Sequence, residues 1–250
     1  MELIGKVCLI TGGTSGIGAA TAVSLAHRGA HIAIASRNIP SEIPDSLSSA
    51  IRRHGTEVQY IEFDAKSAAA CRDCVGRVEE HFGHIDVLIH SAGGPVPGDL
   101  FTVTDESWMD AFAVHVHAVL HLVKAAAPHM ARRGEGAIML ISSAAGLRGC
   151  LGALAYGVVK GALPQFARNL ARELAEHHIR VNCVSPGVIR TPFQDFLTPD
   201  QALKNIENRI PLHREGTPED VAAIITALIE NDFVTGENLV IDGGMTMRIV

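Results

Sequence analysis

The sequence lacks the features that mark secreted, membrane-spanning and nucleic-acid-binding proteins. Its 5 cysteines are an odd number at scattered spacings, which fits a reducing cytoplasm rather than a disulfide framework. A net charge of -6 over 250 residues argues against a basic surface for nucleic acid. No run of about eighteen apolar residues occurs, so we expect no membrane span. Residues 1–6 lead directly into an apolar strand and leave no room for a signal peptide.

Aromatic residues are also scarce, and one of the 2 tyrosines has an informative neighbour. Tyr156 lies four residues before Lys160 in a predicted helix, so both side chains lie on one helix face. A free tyrosine has a pKa of about 10, and a nearby ammonium favours the phenolate and lowers that pKa. The pair can therefore pass a proton to or from a substrate oxygen. Ser143 follows an apolar run that predicts a buried strand, which would deliver its hydroxyl to the sheet edge.

A glycine-rich turn near the start of the chain follows the apolar run Val7–Ile10 and precedes a helical pattern from Ala19 to Arg28. Strand, glycine turn and helix in that order are the context of a dinucleotide-binding turn. Glycines let the backbone approach a pyrophosphate, and the helix N-terminus favours the anion. The glycines are spaced G-x-x-x-G-x-G rather than G-x-G-x-x-G. The cofactor-binding residues predicted here are Gly12, Thr14, Ser15, Gly16, Ile17 and Gly18.

Strand and helix patterns alternate along the whole chain. Continuous apolar strands separated by helices indicate a parallel sheet covered on both faces. The sequence therefore predicts a single α/β domain over residues 1–250, a Rossmann-type doubly wound parallel sheet. One long irregular zone runs from Pro186 to about Pro218, and its part at about 188–215 is predicted to be a substrate lid. The predicted strands are Val7–Ile10, His31–Ala35, Val58–Phe63, Val87–Ile89, Ala137–Ile141, Arg180–Val184 and Leu239–Ile241.

Taken in order, these residues resemble the short-chain dehydrogenase/reductase family over essentially the whole chain. The resemblance implies hydride transfer between a nicotinamide cofactor and a small-molecule alcohol/carbonyl substrate. Tyr156 would be the general acid/base, Lys160 would lower its pKa and hold the nicotinamide ribose, and Ser143 would bond the substrate oxygen. Further cofactor contacts implied by the resemblance are Asp64 and Ala65, Ser91, Ala92 and Gly93, and Pro186, Gly187, Val188 and Thr191.

The end of the second strand bears on the choice of cofactor. NAD-preferring sheets of this type carry an acid there, which binds the ribose 2′-hydroxyl. Here the strand ends in Ser36 and Arg37. A hydroxyl and a guanidinium can bond a 2′-phosphate, which an acid would repel. We therefore expect NADP(H) in preference to NAD(H).

Two segments depart from the family pattern. The spacing from Trp108 puts His115 where the family usually has an asparagine, and His90 and Ser91 alter its Asn-Asn-Ala-Gly segment. In the family the backbone carbonyl at the asparagine binds a water of the proton relay, so His115 is a catalytic candidate. If His115 titrates near pH 6.5, the rate profile gains an ionisation. If His115 is buried in packing, it stays neutral.

Weaker signals are assigned to packing. His115, His117 and His121 have no evident acidic partner, so we expect no metal. Cys71 and Cys74 form a C-x-x-C inside a predicted helix, where we expect no redox role.

The predicted helices at about 106–132 and 154–177 are apolar on more than one side, which predicts a homo-oligomer, a dimer or a tetramer.

Two alternatives to alcohol/carbonyl chemistry stay open: reduction of an activated C=C bond, and a nucleotide-binding homologue without turnover. The pocket segments are mostly apolar, and Cys150 either lines the pocket or packs. Arg148 and Arg190 could bind an acid, but the substrate itself is not readable.

Overall fold

The computed structural model describes residues 1–39, 45–53, 55–194 and 198–247. Seven parallel strands form one sheet in the order β3-β2-β1-β4-β5-β6-β7. This confirms the predicted Rossmann-type fold, and each predicted strand agrees with the observed one to within two residues at either end. The strands are β1 Val7–Thr11, β2 His31–Ser36, β3 Val58–Glu62, β4 Val87–His90, β5 Gly136–Ile141, β6 Ile179–Pro186 and β7 Asn238–Ile241.

Helices cover both faces of the sheet because the central strands are apolar on both sides. In β1, Val7 and Leu9 pack into one buried cluster with α3, α5 and α6, while Cys8 and Ile10 pack into another with α1, α2 and α8. This alternation is the two-residue period of a strand. The helices are α1 Gly16–His27, α2 Asp45–Arg52, α3 Ala68–Phe82, α4 Asp105–Phe112, α5 Ala118–Arg133, α6 Leu154–Leu174, α7 Pro199–Asn208 and α8 Pro218–Glu230.

The strand order reverses beside β1, which pairs with β2 on one side and with β4 on the other. In sheets of this type, ligands bind in the crevice at the carboxyl ends of the strands, where the order reverses. Thr11 and His90 are paired residues at the ends of β1 and β4. The segments that follow β1, β4, β5 and β6 therefore meet at one edge of the sheet.

Two sequence predictions need correction. The zone from Pro186 to Pro218 is not irregular throughout, because it contains α7, which begins at a capping box formed by Thr198 and Gln201. Residues 195–197 of the predicted lid lie outside the described residues. The helix predicted at about 106–132 is divided into α4 and α5 by one π-helical turn, Ala113–His117. Such turns occur mostly as short insertions and often mark functional sites.

One helical stretch of the described chain, Asp105–Arg133, is long and apolar enough to cross a membrane by length and composition alone. The sequence analysis did not anticipate it. The core helices of soluble proteins pass the same test, so this result is weak evidence for a membrane segment. In this fold Val119 and Leu122 of that stretch are buried against the sheet.

The cysteines of the C-x-x-C pair lie on the buried face of α3. Burial raises the pKa of Cys71 to about 11 and that of Cys74 to about 12. Thiols of this kind carry almost no thiolate at neutral pH and are unreactive. This environment favours the packing interpretation of the pair. Cys150 is the exposed one among the five free cysteines.

Candidate active site

The structure brings the predicted serine, tyrosine and lysine together. Tyr156 lies in the first turn of α6, and the Lys160 Nζ lies 5.6 Å from the centroid of its ring. Ser143 begins a short 3₁₀ turn just after β5, and its hydroxyl hydrogen bonds to Tyr156. Two hydroxyls and one ammonium therefore meet at the carboxyl edge of the sheet, as the spacing predicted.

Backbone contacts fix the position of Lys160 relative to β5. Its Nζ donates to the Ile141 carbonyl at 2.8 Å, and the Ser142 hydroxyl donates to the Lys160 carbonyl at 2.6 Å. Gly146 lets the 3₁₀ turn approach α6, because a Cβ there would lie 2.6 Å from the backbone of Lys160 and Gly161. These contacts hold the turn that carries Ser143 against the helix that carries the pair.

Burial sets the protonation of both groups. It lowers the pKa of Lys160 from 10.5 to about 8. It also raises the pKa of Tyr156 above its ordinary value, while the hydrogen bond from Ser143 acts in the opposite direction. Lys160 is not among the groups that shift the Tyr156 pKa, so the lowering expected from the sequence is not observed. At neutral pH the tyrosine is a neutral phenol, which is a proton donor.

His115 lies in the π-helical turn and faces Tyr156. Its ring meets the Tyr156 ring edge-on, with centroids 5.9 Å apart, and only 2% of the residue is exposed. Burial, with a smaller effect from Lys160, lowers the His115 pKa to about 2. Of the two alternatives left by the sequence, the structure favours the neutral histidine. Its ring hydrogen bonds to the Gly94 backbone, while Nδ1 has no partner among the described residues.

His90 connects β1 to the same π-helical turn. Its Nδ1 lies 2.9 Å from the Thr11 Oγ1, and its Nε2 lies 3.0 Å from the Val114 carbonyl oxygen. A carbonyl can only accept, so Nε2 carries the proton and Nδ1 accepts from the threonine hydroxyl. Burial lowers the pKa of His90 to about 4, which keeps this neutral tautomer at neutral pH. The sequence analysis noted His90 as a departure but assigned it no role.

The predicted cofactor residues all stand at this edge of the sheet. The residues after β1 are Gly12, Thr14, Ser15, Gly16, Ile17 and Gly18, and those at the end of β2 are Ser36 and Arg37. The residues after β3 are Asp64 and Ala65, and those after β4 are Ser91, Ala92 and Gly93. The residues at or after the end of β6 are Pro186, Gly187, Val188 and Thr191.

The glycine turn fits a dinucleotide. A Cβ on Gly12 would lie 2.8 Å from the Ala92 backbone, and one on Gly18 would lie 2.3 Å from the Gly12 carbonyl oxygen. These close approaches require glycine at both positions, and two of the first three residues of α1 have no side chain. Ser15 makes no side-chain capping bond, and the first turn of α1 contains no acidic residue. Its amide groups and the helix dipole are therefore free to bind a pyrophosphate.

The predicted adenine side carries a pair of hydroxyls and an exposed arginine. The Thr14 Oγ1 donates to the Ser36 Oγ at 3.4 Å, beside the exposed Arg37. Asp64 is exposed, and its Oδ1 accepts from the Lys66 amide at 3.0 Å. On the nicotinamide side, Thr191 lies next to the glycine turn, because a Cβ on Gly16 would be 3.1 Å from its Cγ2.

The sequence analysis missed Phe193 as a site residue. It lies in a short 3₁₀ turn, Pro192–Gln194, and its ring centroid lies 5.8 Å from that of Tyr156. It lies inside the predicted lid, and no spacing rule connects it to the tyrosine. The one available signal was its aromatic character in a chain with only 4% aromatic residues.

A family model described as enoyl-(acyl carrier protein) reductase matches residues 12–246. Among curated proteins, "Dehydrogenase/reductase SDR family member 4" of Oryctolagus cuniculus is 36% identical over 99% of this chain and 96% of its own length. The 3-oxoacyl-(acyl-carrier-protein) reductase of Thermotoga maritima is 35% identical over 99% of this chain and 100% of its own.

Solved structures give the same result. L-sorbose reductase from Gluconobacter frateurii, complexed with NADPH and L-sorbose, is 29% identical and superposes with a TM-score of 0.91 over 100% of both chains. Acetoin dehydrogenase from Salmonella typhimurium is 29% identical, with a TM-score of 0.87 over 98% of both chains. With the fold, the strand-edge site and these relatives in agreement, the chain belongs to the short-chain dehydrogenase/reductase family and is an oxidoreductase that acts on alcohol and carbonyl groups.

Proposed function

We propose that this protein is an NADP(H)-dependent oxidoreductase that interconverts a secondary or primary alcohol and its ketone or aldehyde, with Tyr156 as the general acid/base. The observation that carries the proposal is the convergence of the Ser143 and Tyr156 hydroxyls with the buried Lys160 ammonium. A carbonyl oxygen bound between two hydroxyl donors is polarised toward the alkoxide that forms on reduction.

When bound by the glycine turn after β1, a nicotinamide cofactor would supply or accept the hydride. Tyr156 gives its phenolic proton to the substrate oxygen in reduction and takes it back in oxidation. Ser143 donates to the same oxygen as charge develops there. An oriented donor of this type lowers the activation barrier by about 3 kcal/mol. Lys160, while charged, stabilises the phenolate that remains. The raised Tyr156 pKa keeps the proton available at neutral pH, which suits reduction.

The rival functions have weaker support. The matched family model carries the description enoyl-(acyl carrier protein) reductase. The curated relatives cited above are instead named as a dehydrogenase/reductase and a 3-oxoacyl reductase. The Ser143 and Tyr156 hydroxyls lie close together, so both can donate to one carbonyl oxygen of a substrate. A homologue without turnover would not need a lysine kept buried at a cost in desolvation. Turnover of a ketone rather than an enone separates these functions.

Several further proposals rest on the sequence and on exposure. We infer one domain over residues 1–250, with a lid at about 188–215, a cytoplasmic location, and no nucleic-acid or membrane partner. A homo-oligomer is favoured by large apolar side chains exposed on α4, α5 and α6, namely Met109, Leu120 and Val158. A second copy of the chain would cover these side chains.

Tyr156→Phe should retain the fold and cofactor binding and lose about 100- to 10,000-fold in kcat, because the ring stays and the transferable proton goes. Tyr60→Phe is the matched control, since Tyr60 is the other tyrosine and its hydroxyl bonds Ser48 far from the cleft. Steady-state kinetics of ketone reduction, with a panel of ketones, give kcat for both variants. Near wild-type kcat in Tyr156→Phe would remove the assigned acid.

Arg37→Ala should raise the KM for NADPH about 10- to 100-fold, because a charge-assisted bond to the 2′-phosphate is lost. The KM for NADH should stay within about twofold, since NADH lacks that phosphate. Arg72→Ala, which removes an exposed arginine on α3, serves as the control. Wild-type catalytic efficiency that is equal or better with NADH would overturn the cofactor assignment.

In solution the protein should have a mass of two or four times 26.5 kDa, because the exposed apolar side chains of α4, α5 and α6 are otherwise left in water. Multi-angle light scattering at micromolar concentration measures this mass. A monomeric mass there would contradict the proposal.

The rate of reduction should fall as pH rises through about 8, and this decrease should reflect the deprotonation of Lys160. Burial disfavours the ammonium and lowers its pKa from 10.5 to about 8, so the charge that stabilises the phenolate is present below that pH and lost above it. His115 stays neutral over this range. Wild type and His115→Asn should therefore show the same ionisations between pH 6 and 9. An ionisation near pH 6.5 in wild type alone would assign it to His115.

A further inference from the structure

We propose, on the basis of the function proposed above, that the substrates are uncharged ketones, and the matching secondary alcohols, that carry a flat apolar ring next to the reacting carbon. The chemistry at Tyr156 does not by itself select a substrate class. The selection arises from Phe193, from the partners of the nearby arginines, and from exposed apolar side chains at the rim of the cleft.

Phe193 forms an aromatic wall beside the reacting hydroxyl. Its ring centroid lies 5.8 Å from that of Tyr156, and the two rings are inclined at 44°, an arrangement typical of aromatic contacts. Thr191, two residues earlier, lies beside the glycine turn. The segment from Thr191 to Phe193 therefore runs from the glycine turn to the tyrosine. A carbonyl bonded to Tyr156 and Ser143 would place its adjacent substituent against this ring.

The arginines that could anchor an anionic substituent already have partners. The Arg190 Nε binds the Glu215 carboxylate at 3.1 Å. The Arg148 Nε donates to the Thr246 carbonyl at 3.2 Å, and its Nη1 donates to the Leu147 carbonyl at 3.3 Å. Within the described chain, no arginine or carboxylate is among the groups that shift the Tyr156 pKa. A carboxylate or phosphate on the substrate would thus have to compete with these partners for a cation, and would lose water in doing so.

The rim of the cleft carries large exposed apolar side chains beside Arg148. Cys150 lies close enough to Tyr156 to influence its pKa, and the next residue, Leu151, is 99% exposed. The same loop contacts the C-terminal segment through Arg148 and Thr246, and that segment exposes 74% of Met247. Apolar side chains at the mouth favour a ligand with apolar surface, which they can cover when it binds.

The test compares acetophenone with butanone, which lacks the ring, and with 4-acetylbenzoate, which adds a carboxylate. Wild type with NADPH should show the highest kcat/KM for acetophenone. Phe193→Ala should lower that value about 10-fold, mainly through KM, because the ring contact and its burial are lost. Butanone should change less than about twofold. Phe233→Ala removes a phenylalanine that is 97% exposed beyond α8 and should change neither.

A second measurement separates this inference from the proposed chemistry. Acetophenone binding to the enzyme–NADPH complex is measured by calorimetry for wild type, Phe193→Ala and Phe233→Ala. If no ketone turns over but acetophenone binds and only Phe193→Ala weakens it, the ligand class stands and the proposed reaction fails. The inference is overturned if acetophenone does not bind, if 4-acetylbenzoate is preferred, or if Phe193→Ala affects acetophenone and butanone equally. Unchanged NADPH affinity and melting temperature in Phe193→Ala exclude a folding defect.

Discussion

The buried ammonium of Lys160 is the interaction on which the rest of the site depends. Its bond to the Ile141 carbonyl joins α6 to β5 at the point where the Ser143 turn leaves the strand. The geometry of both hydroxyls therefore follows from where the lysine is held. The same burial that fixes the lysine lowers its pKa to about 8, so position and charge are coupled. The site keeps an ammonium at neutral pH, but with a small margin.

Burial also explains why the tyrosine differs from the expectation drawn from its neighbour. Sequence spacing placed Tyr156 and Lys160 on one helix face, and that geometry is observed. Spacing carries no information on how much water either group retains. Desolvation disfavours the phenolate and is larger than the opposing effect of the Ser143 hydroxyl, while Lys160 is not among the groups that shift the Tyr156 pKa. Sequence therefore predicts which groups meet, and only the packed structure gives the balance between these opposed effects.

The same difference between what the sequence predicts and what packing determines applies to the rest of the fold. The central strands were predictable because β-strands buried on both faces are continuous apolar runs with a turn at each end. The less buried edge strands β3 and β7 were predictable from shorter runs that still contain apolar residues. The π-helical turn at Ala113–His117 was not, because a single extra residue per turn leaves the apolar pattern of the helix nearly unchanged. Phe193 was not predictable as a neighbour of Tyr156 either. It reaches the tyrosine through the course of the segment after β6, which no local periodicity specifies.

The two histidines, His90 and His115, show how burial can preserve a function when the residue type changes. In the family pattern both positions are asparagines, whose amide offers one donor and one acceptor group without charge. A neutral imidazole also offers one N–H and one acceptor nitrogen. His90 uses both, toward Val114 and Thr11. His115 bonds Gly94, and its Nδ1 has no partner in the part of the chain that the structure describes. Because their pKa values are lowered to about 4 and about 2, neither carries a positive charge next to Lys160. Desolvation thus makes each histidine act as an uncharged amide would, which is compatible with a relay built on a lysine whose own charge is only marginally stable.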